Sequence, residues 1–129
     1  MKIFKPFDIV AASYPSLDGS IKSGIFLVLF CEQGNCLCAK LTSQFDSRFM
    51  RYSVLALQRT NPFLQCDSYI QLDKLITLNA LKCNMLGALA PVVRRSIKDV
   101  LNRFHFDILE GFNSNMKSVY KSPNVHENF

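Results

Sequence analysis

Long hydrophobic runs are missing: the longest clean one, Ile25 to Cys31, is far shorter than the roughly 20 apolar residues a bilayer-spanning helix requires. No membrane helix is therefore expected. The opening MKIFKPFDIV has no apolar core followed by a small-residue cleavage site, so it does not read as a secretory leader, and a cytoplasmic location is expected. Basic residues never cluster in runs of five or more, which argues against a polybasic tail or a lipid-headgroup patch. Cysteine is present in an odd number, five, with neither a paired disulfide framework nor the two CxxC arms of a zinc site. Five reduced thiols in the core are expected, with no metal and no cofactor.

What remains is a 129-residue chain, 49% hydrophobic and 19% charged, large enough to bury one core without staples. Its net charge of +5 gives a mild preference for a polyanionic partner.

The first two thirds carry short apolar or alternating runs bounded by turn residues, the pattern of a small barrel or a strongly bent sheet. Strands are expected at Asp8–Tyr14, Gly24–Cys31 and Cys36–Thr42. The polar turn Ser16–Ser20 separates the first two, and Glu32-Gln33-Gly34-Asn35 connects the second to the third. Further strands are expected at Tyr52–Leu57 and Ser68–Leu72, with Leu75–Leu78 continuing or neighbouring the latter. Cys83–Leu89 reads as a last short strand or a helix lead-in. After Pro91 the period changes: Val93, Ile97, Val100, Leu101 and Phe104 form one stripe of an amphipathic helix, with Arg94, Arg95, Lys98 and Arg103 largely off it. Residues 1–104 form the expected domain, and 105–129 a polar, partly mobile extension.

Period-two alternation in the third strand puts Leu37, Ala39 and Leu41 on one face and Cys38, Lys40 and Thr42 on the other. The leucine face belongs to the core, so Thr42 is expected to point toward solvent or a groove. Arg48 and Arg51 follow in the next loop, with the aromatics Phe45, Phe49 and Tyr52 interleaved.

The order of these pieces resembles the MazF/PemK (Kid) toxin family, small SH3-like barrels related in fold to the CcdB gyrase poisons. The matching segments are Phe7-Asp8-Ile9-Val10 for a Gly-Asp-Ile-Val strand, and Ser23 to Val28 for an Arg-Pro-x-Leu-Val strand. Leu41-Thr42-Ser43 matches a strand ending in Thr-Ser, Ser68-Tyr69-Ile70 a Ser-x-Ile strand, and Leu86-Gly87-Ala88-Leu89 the element before the final helix. The resemblance implies a mainly β, SH3-like barrel of five to seven strands with a C-terminal helix. It also implies a metal-independent endoribonuclease on single-stranded RNA, a homodimer, and an antitoxin covering the RNA groove.

Such a reaction needs a base for the ribose 2′-hydroxyl, a proton donor for the leaving oxygen, and positive charge beside the phosphoryl oxygens. Carried over, the resemblance makes Thr42 and Lys22 the catalytic candidates, and Ser43, Lys40, Arg48 and Arg51 the RNA contacts. The family's arginine is absent, with Ser23 at its position. Lys22, one residue earlier, is a point cation rather than a planar fork, and can replace the arginine only if the chain there is still loop. The alternative is a non-catalytic barrel that binds RNA or inhibits a host protein. On that alternative, Thr42 and Ser43 cap a strand end and the arginines are solvated loop charges. His105 and His126 lie outside the matched segments.

Overall fold

Turn chemistry fixes the strand boundaries of this chain more than length does, beginning with Lys5-Pro6-Phe7-Asp8. The backbone N–H of Asp8 reaches the carbonyl of Lys5 (3.1 Å), and Phe7 has φ 75°. This is a turn with proline first and a left-handed residue second, a position that normally favours glycine. Phe7 holds it because its ring is 1% exposed in the core, while its N–H donates to Val28 O and its carbonyl accepts from Leu89 N–H, both at 2.8 Å. At the next hairpin Gln33 (φ 53°) and Gly34 (φ 81°) are both left-handed, the two-residue turn whose twist matches that of paired strands.

The computed structural model describes residues 3–104. It contains β1 (Asp8–Pro15), β2 (Ile21–Glu32), β3 (Asn35–Thr42), β4 (Ser53–Ala56), β5 (Ser68–Asn79), β6 (Cys83–Ala88) and α1 (Pro91–Phe104), with short 3-10 turns at Ser47–Tyr52 and Ala80–Lys82. All six strands form one antiparallel sheet in the order β4-β5-β3-β2-β1-β6. The fold is mainly β with a C-terminal helix, as expected. The barrel is not closed: β4 and β6 are the outer strands and do not pair with each other. No described helix is long and apolar enough to cross a membrane.

Apolar residues on the two faces make two cores. Ile9, Leu27, Leu29, Ala39, Leu41, Ile70 and Leu72 face α1, which buries Val93, Ile97, Val100 and Leu101 against them. Val10, Phe26, Val28, Cys36, Cys38 and Cys83 form the second core on the other face, joined by Phe4. Two-sided burial explains the unbroken apolar run in β2. It also corrects the reading of β3: on the face shared with Thr42, Cys36 and Cys38 are fully buried, and it is Lys40, exposed, and Thr42, half-buried, that emerge on that face.

Three elements differ from expectation. Cys31 and Cys36, paired directly across the β2–β3 hairpin, form a disulfide with Cα atoms 4.0 Å apart, so the chain does not hold five reduced thiols. The tight Gln33-Gly34 turn creates that pairing, which the odd number of cysteines conceals. Second, β4 begins at Ser53 because Tyr52 closes the preceding 3-10 turn. Third, Ser68–Asn79 is one strand with a large irregularity. Ala39 pairs with Leu75 but its neighbour Lys40 pairs with Gln71, so Leu72, Asp73 and Lys74 are extra on β5. Leu72 turns into the core, and the strand bends there.

Candidate functional site

Partners directly across an antiparallel pair lie on the same side of the sheet, so the register maps the site. On β3 and β5, Lys40 faces Gln71 and Thr42 faces Tyr69; β4 adds Ser53 beside Gln71 and Leu55 beside Tyr69. Toward the other edge Lys40 faces Phe26, and Lys22 faces Tyr14. Alternation along β2 then puts Lys22, Gly24 and Phe26 on the side that carries Lys40 and Thr42, away from α1. Gly24 leaves room here: a Cβ would lie 3.2 Å from the Phe26 ring and 3.8 Å from Lys40 Cε.

Two hollows open on this face. The smaller, about 10 Å³, is bounded by Thr42, Phe45, Asp46, Met50 and Tyr69, with Phe45 and Tyr69 tilted against each other at 5.5 Å. The larger, about 280 Å³, has apolar walls from Tyr14, Phe26, Leu75 and Ile76. Its polar edge comes from Lys40, Asp73 and Lys74. Gln71 borders both hollows and joins them.

Within the smaller hollow Thr42 Oγ1 accepts the backbone N–H of Gln44 at 3.2 Å, the local bond typical of a hydroxyl at a turn. A hydroxyl has a second acceptor site and its own hydrogen, so Thr42 can still donate outward. Asp46 borders the same hollow but is committed elsewhere. It accepts the Arg48 backbone N–H (3.0 Å) and the guanidinium Nε and Nη2 (3.1 and 2.9 Å), capping the 3-10 turn. These side-chain bonds first, and the backbone bond second, hold its carboxyl below the usual range; the same pairing raises Arg48. Such a carboxylate is a poor proton acceptor.

The expected site residues therefore divide. Thr42, Lys40 and Lys22 share one face. Lys40 Nζ donates to the Tyr14 hydroxyl at 3.3 Å and stands 5.8 Å from that ring's centre. Ser43 is exposed just past β3 and borders neither hollow. Arg48 is turned to Asp46, and Arg51 lies 5.9 Å from the ring of Phe104 at the end of α1. Neither arginine borders either of these two hollows. Tyr52 also packs on Phe104, 4.5 Å between ring centres, instead of presenting a stacking surface beside Thr42.

Lys22 lies within β2, not in a loop. The one-residue offset consequently matters in an unexpected direction. Ser23 faces Ser13, their hydroxyl oxygens 3.4 Å apart, on the side away from Thr42. Lys22 is the residue on Thr42's side. Continuing the β2–β3 ladder past Ile25 and Leu41 brings Thr42 level with Gly24, with Lys22 two residues further along β2.

Sequence reasoning did not single out Tyr14, Gln71, Asp73 or Lys74 as site residues. The available signal was the Asp73-Lys74 pair interrupting the apolar run between Leu72 and Leu75. Among the basic residues of α1, Arg94 is not simply solvated: its Nε donates to Leu89 O at 3.0 Å and its guanidinium lies 5.0 Å from the Phe7 ring. His105, His126 and the 105–129 extension lie outside the described residues. No protein-family model and no curated protein sequence matches the chain.

Proposed function

We propose that this chain is a diverged MazF/PemK-type protein of the SH3-like barrel class that binds single-stranded RNA on the Thr42 face and cleaves it slowly. The observation that supports this reading is that a hydroxyl donor, Thr42, and two ammonium groups, Lys40 and, further along β2 and outside both hollows, Lys22, lie on one face of the sheet with Tyr14, Phe45 and Tyr69. Cations neutralise phosphate while aromatic rings accept bases, the combination that single-strand binders use.

In the proposed reaction the ribose 2′-oxygen attacks the adjacent phosphorus and the bond from phosphorus to the 5′-oxygen breaks. Water takes the 2′ proton, and water returns one to the departing 5′-oxygen. The products are a 2′,3′-cyclic phosphate and a 5′-hydroxyl, with no metal required. Thr42 donates to a phosphoryl oxygen, while Lys22 and Lys40 offset the charge that develops there. A low rate follows from the absence of a free base in the smaller hollow, where Asp46 is held by Arg48. The proposed assembly is a homodimer that an antitoxin can cover.

Binding without cleavage is the second reading. Ser23, at the family's arginine position and on the far side of the sheet, favours it. Incubating the protein with mixed single-stranded RNA in EDTA separates the two. Discrete fragments ending in 2′,3′-cyclic phosphate, lost in Thr42→Ala and Lys22→Ala, support cleavage. Intact RNA with salt-sensitive binding supports the second reading, and no binding at all rejects both.

A further inference from the structure

The larger hollow differs from the smaller one in the chemistry of its edge. Gln71, Asp73 and Lys74 make no side-chain hydrogen bond or ion pair among the described residues, yet all three border a cavity with apolar walls. Polar groups set around an apolar recess are the usual composition of a ligand site. At about 280 Å³ the recess is slightly below the roughly 300–1,000 Å³ range of pockets for larger organic ligands, so its occupant is small. Two features limit what that occupant can be. The half-buried Tyr14 ring, held edge-to-face (85°, 5.6 Å) by the buried Phe26, offers an aromatic surface suited to a flat π-system. The carboxylate of Asp73 and the ammonium groups of Lys40 and Lys74 require a group that both donates and accepts on its edge.

We infer that the larger hollow is a base-recognition pocket selective for guanine in single-stranded RNA, an inference that rests on the RNA reading above. Among the four RNA bases only guanine presents two adjacent N–H donors, N1 and the 2-amino group, to a bidentate carboxylate, here Asp73. Its O6 and N7 are acceptors for Lys40 or Lys74. Uracil offers a single ring N–H, whereas adenine and cytosine offer an amino group beside an acceptor nitrogen that a carboxylate repels. Gln71, shared by both hollows, makes this pocket continuous with the proposed phosphate position at Thr42. The extra residues of β5 create the pocket edge. Without the register jump between Gln71 and Leu75, Asp73 and Lys74 would occupy ordinary ladder positions.

The test measures binding, at fixed salt, of short oligouridine strands with one central guanosine, inosine, adenosine, cytidine or uridine. The strands are 2′-O-methylated at the centre to block cleavage. The guanosine strand is expected to bind about tenfold tighter than the uridine strand, with inosine, which lacks the 2-amino group, between them. Asp73→Asn should collapse the guanosine-to-uridine affinity ratio to about one with an unchanged circular dichroism spectrum, while loss of the negative charge raises the affinity of all five strands alike. Equal binding of all five strands, or a guanosine preference that survives Asp73→Asn, overturns the pocket assignment and leaves RNA binding standing. Failure of every strand to bind overturns both.

Discussion

The side-chain carbonyl of Asn61 accepts the backbone N–H of Ala90 at 2.8 Å, tying the loop after β4 to the entry of α1. Asn61 is completely buried, and its amide nitrogen donates to Leu57 O (2.8 Å) and to Thr60 Oγ1 (3.1 Å). One polar residue thus satisfies its own buried groups and the last backbone donor before the helix proline. Asn61→Ala leaves the Ala90 N–H unpaired, at an expected cost of about 1–3 kcal/mol. Urea unfolding should show a lower midpoint with an unchanged slope.

Phe7 combines a backbone penalty with a packing gain. Phe7→Gly relieves a left-handed conformation worth roughly 1–2 kcal/mol. It also empties a fully buried aromatic site, a loss of about 3–5 kcal/mol. The expected net destabilisation is about 1–4 kcal/mol, measured by thermal or urea denaturation. A more stable variant would mean that the ring contributes little to the core.

Cysteine chemistry should divide by burial. Cys66 is exposed, whereas Cys38 and Cys83 are buried thiols and Cys31–Cys36 is bonded. At pH 8 an alkylating reagent should modify Cys66 in the native protein and reach Cys38 and Cys83 only after denaturation. Peptide mapping without reductant should recover the Cys31–Cys36 linkage. Burial, with a smaller contribution from neighbouring Cys83, pushes the Cys38 thiol from 9.0 to about 12. The sign follows from linkage: below pH 9 the thiol is neutral folded or unfolded, and between 9 and about 12 only the unfolded chain ionises. Stability should therefore fall across that window, and Cys38→Ala should flatten that component of the slope.

Gly87 in β6 lies beneath the ring of Phe63, so a Cβ there would collide with it. Gly87→Ala must displace the ring from the edge of the core, at an expected cost of about 1–3 kcal/mol. The companion variant Phe63→Ala with Gly87→Ala should recover part of that steric loss, which a double-mutant cycle in urea measures.

Strand order along the chain and the helix were legible because local rules set them. Alternation marks β1 and β3, Gln33-Gly34 marks the hairpin, and the Val93-Ile97-Val100-Leu101 stripe marks α1. The tertiary pairings were not. The Gln33-Gly34 hairpin sets Cys31 opposite Cys36, but the odd cysteine count hid the bond between them, and nothing local indicates that Arg51 finds Phe104 instead of solvent. For the site, alternation placed Lys40 and Thr42 together, but Lys22 joins them only through the β1–β2 and β2–β3 registers. Asp73 and Lys74 required the β5 irregularity, which depends on how two distant strands align.

That irregularity separates two demands that usually compete within a strand. Leu72 anchors it in the hydrophobic interior, while its immediate successors border an outward cavity and contribute nothing to the interior. Exchanging residues at 73 and 74 can therefore retune what the cavity accepts at little thermodynamic risk, making this short excursion the place where variants of the chain can diversify while the scaffold stays constant.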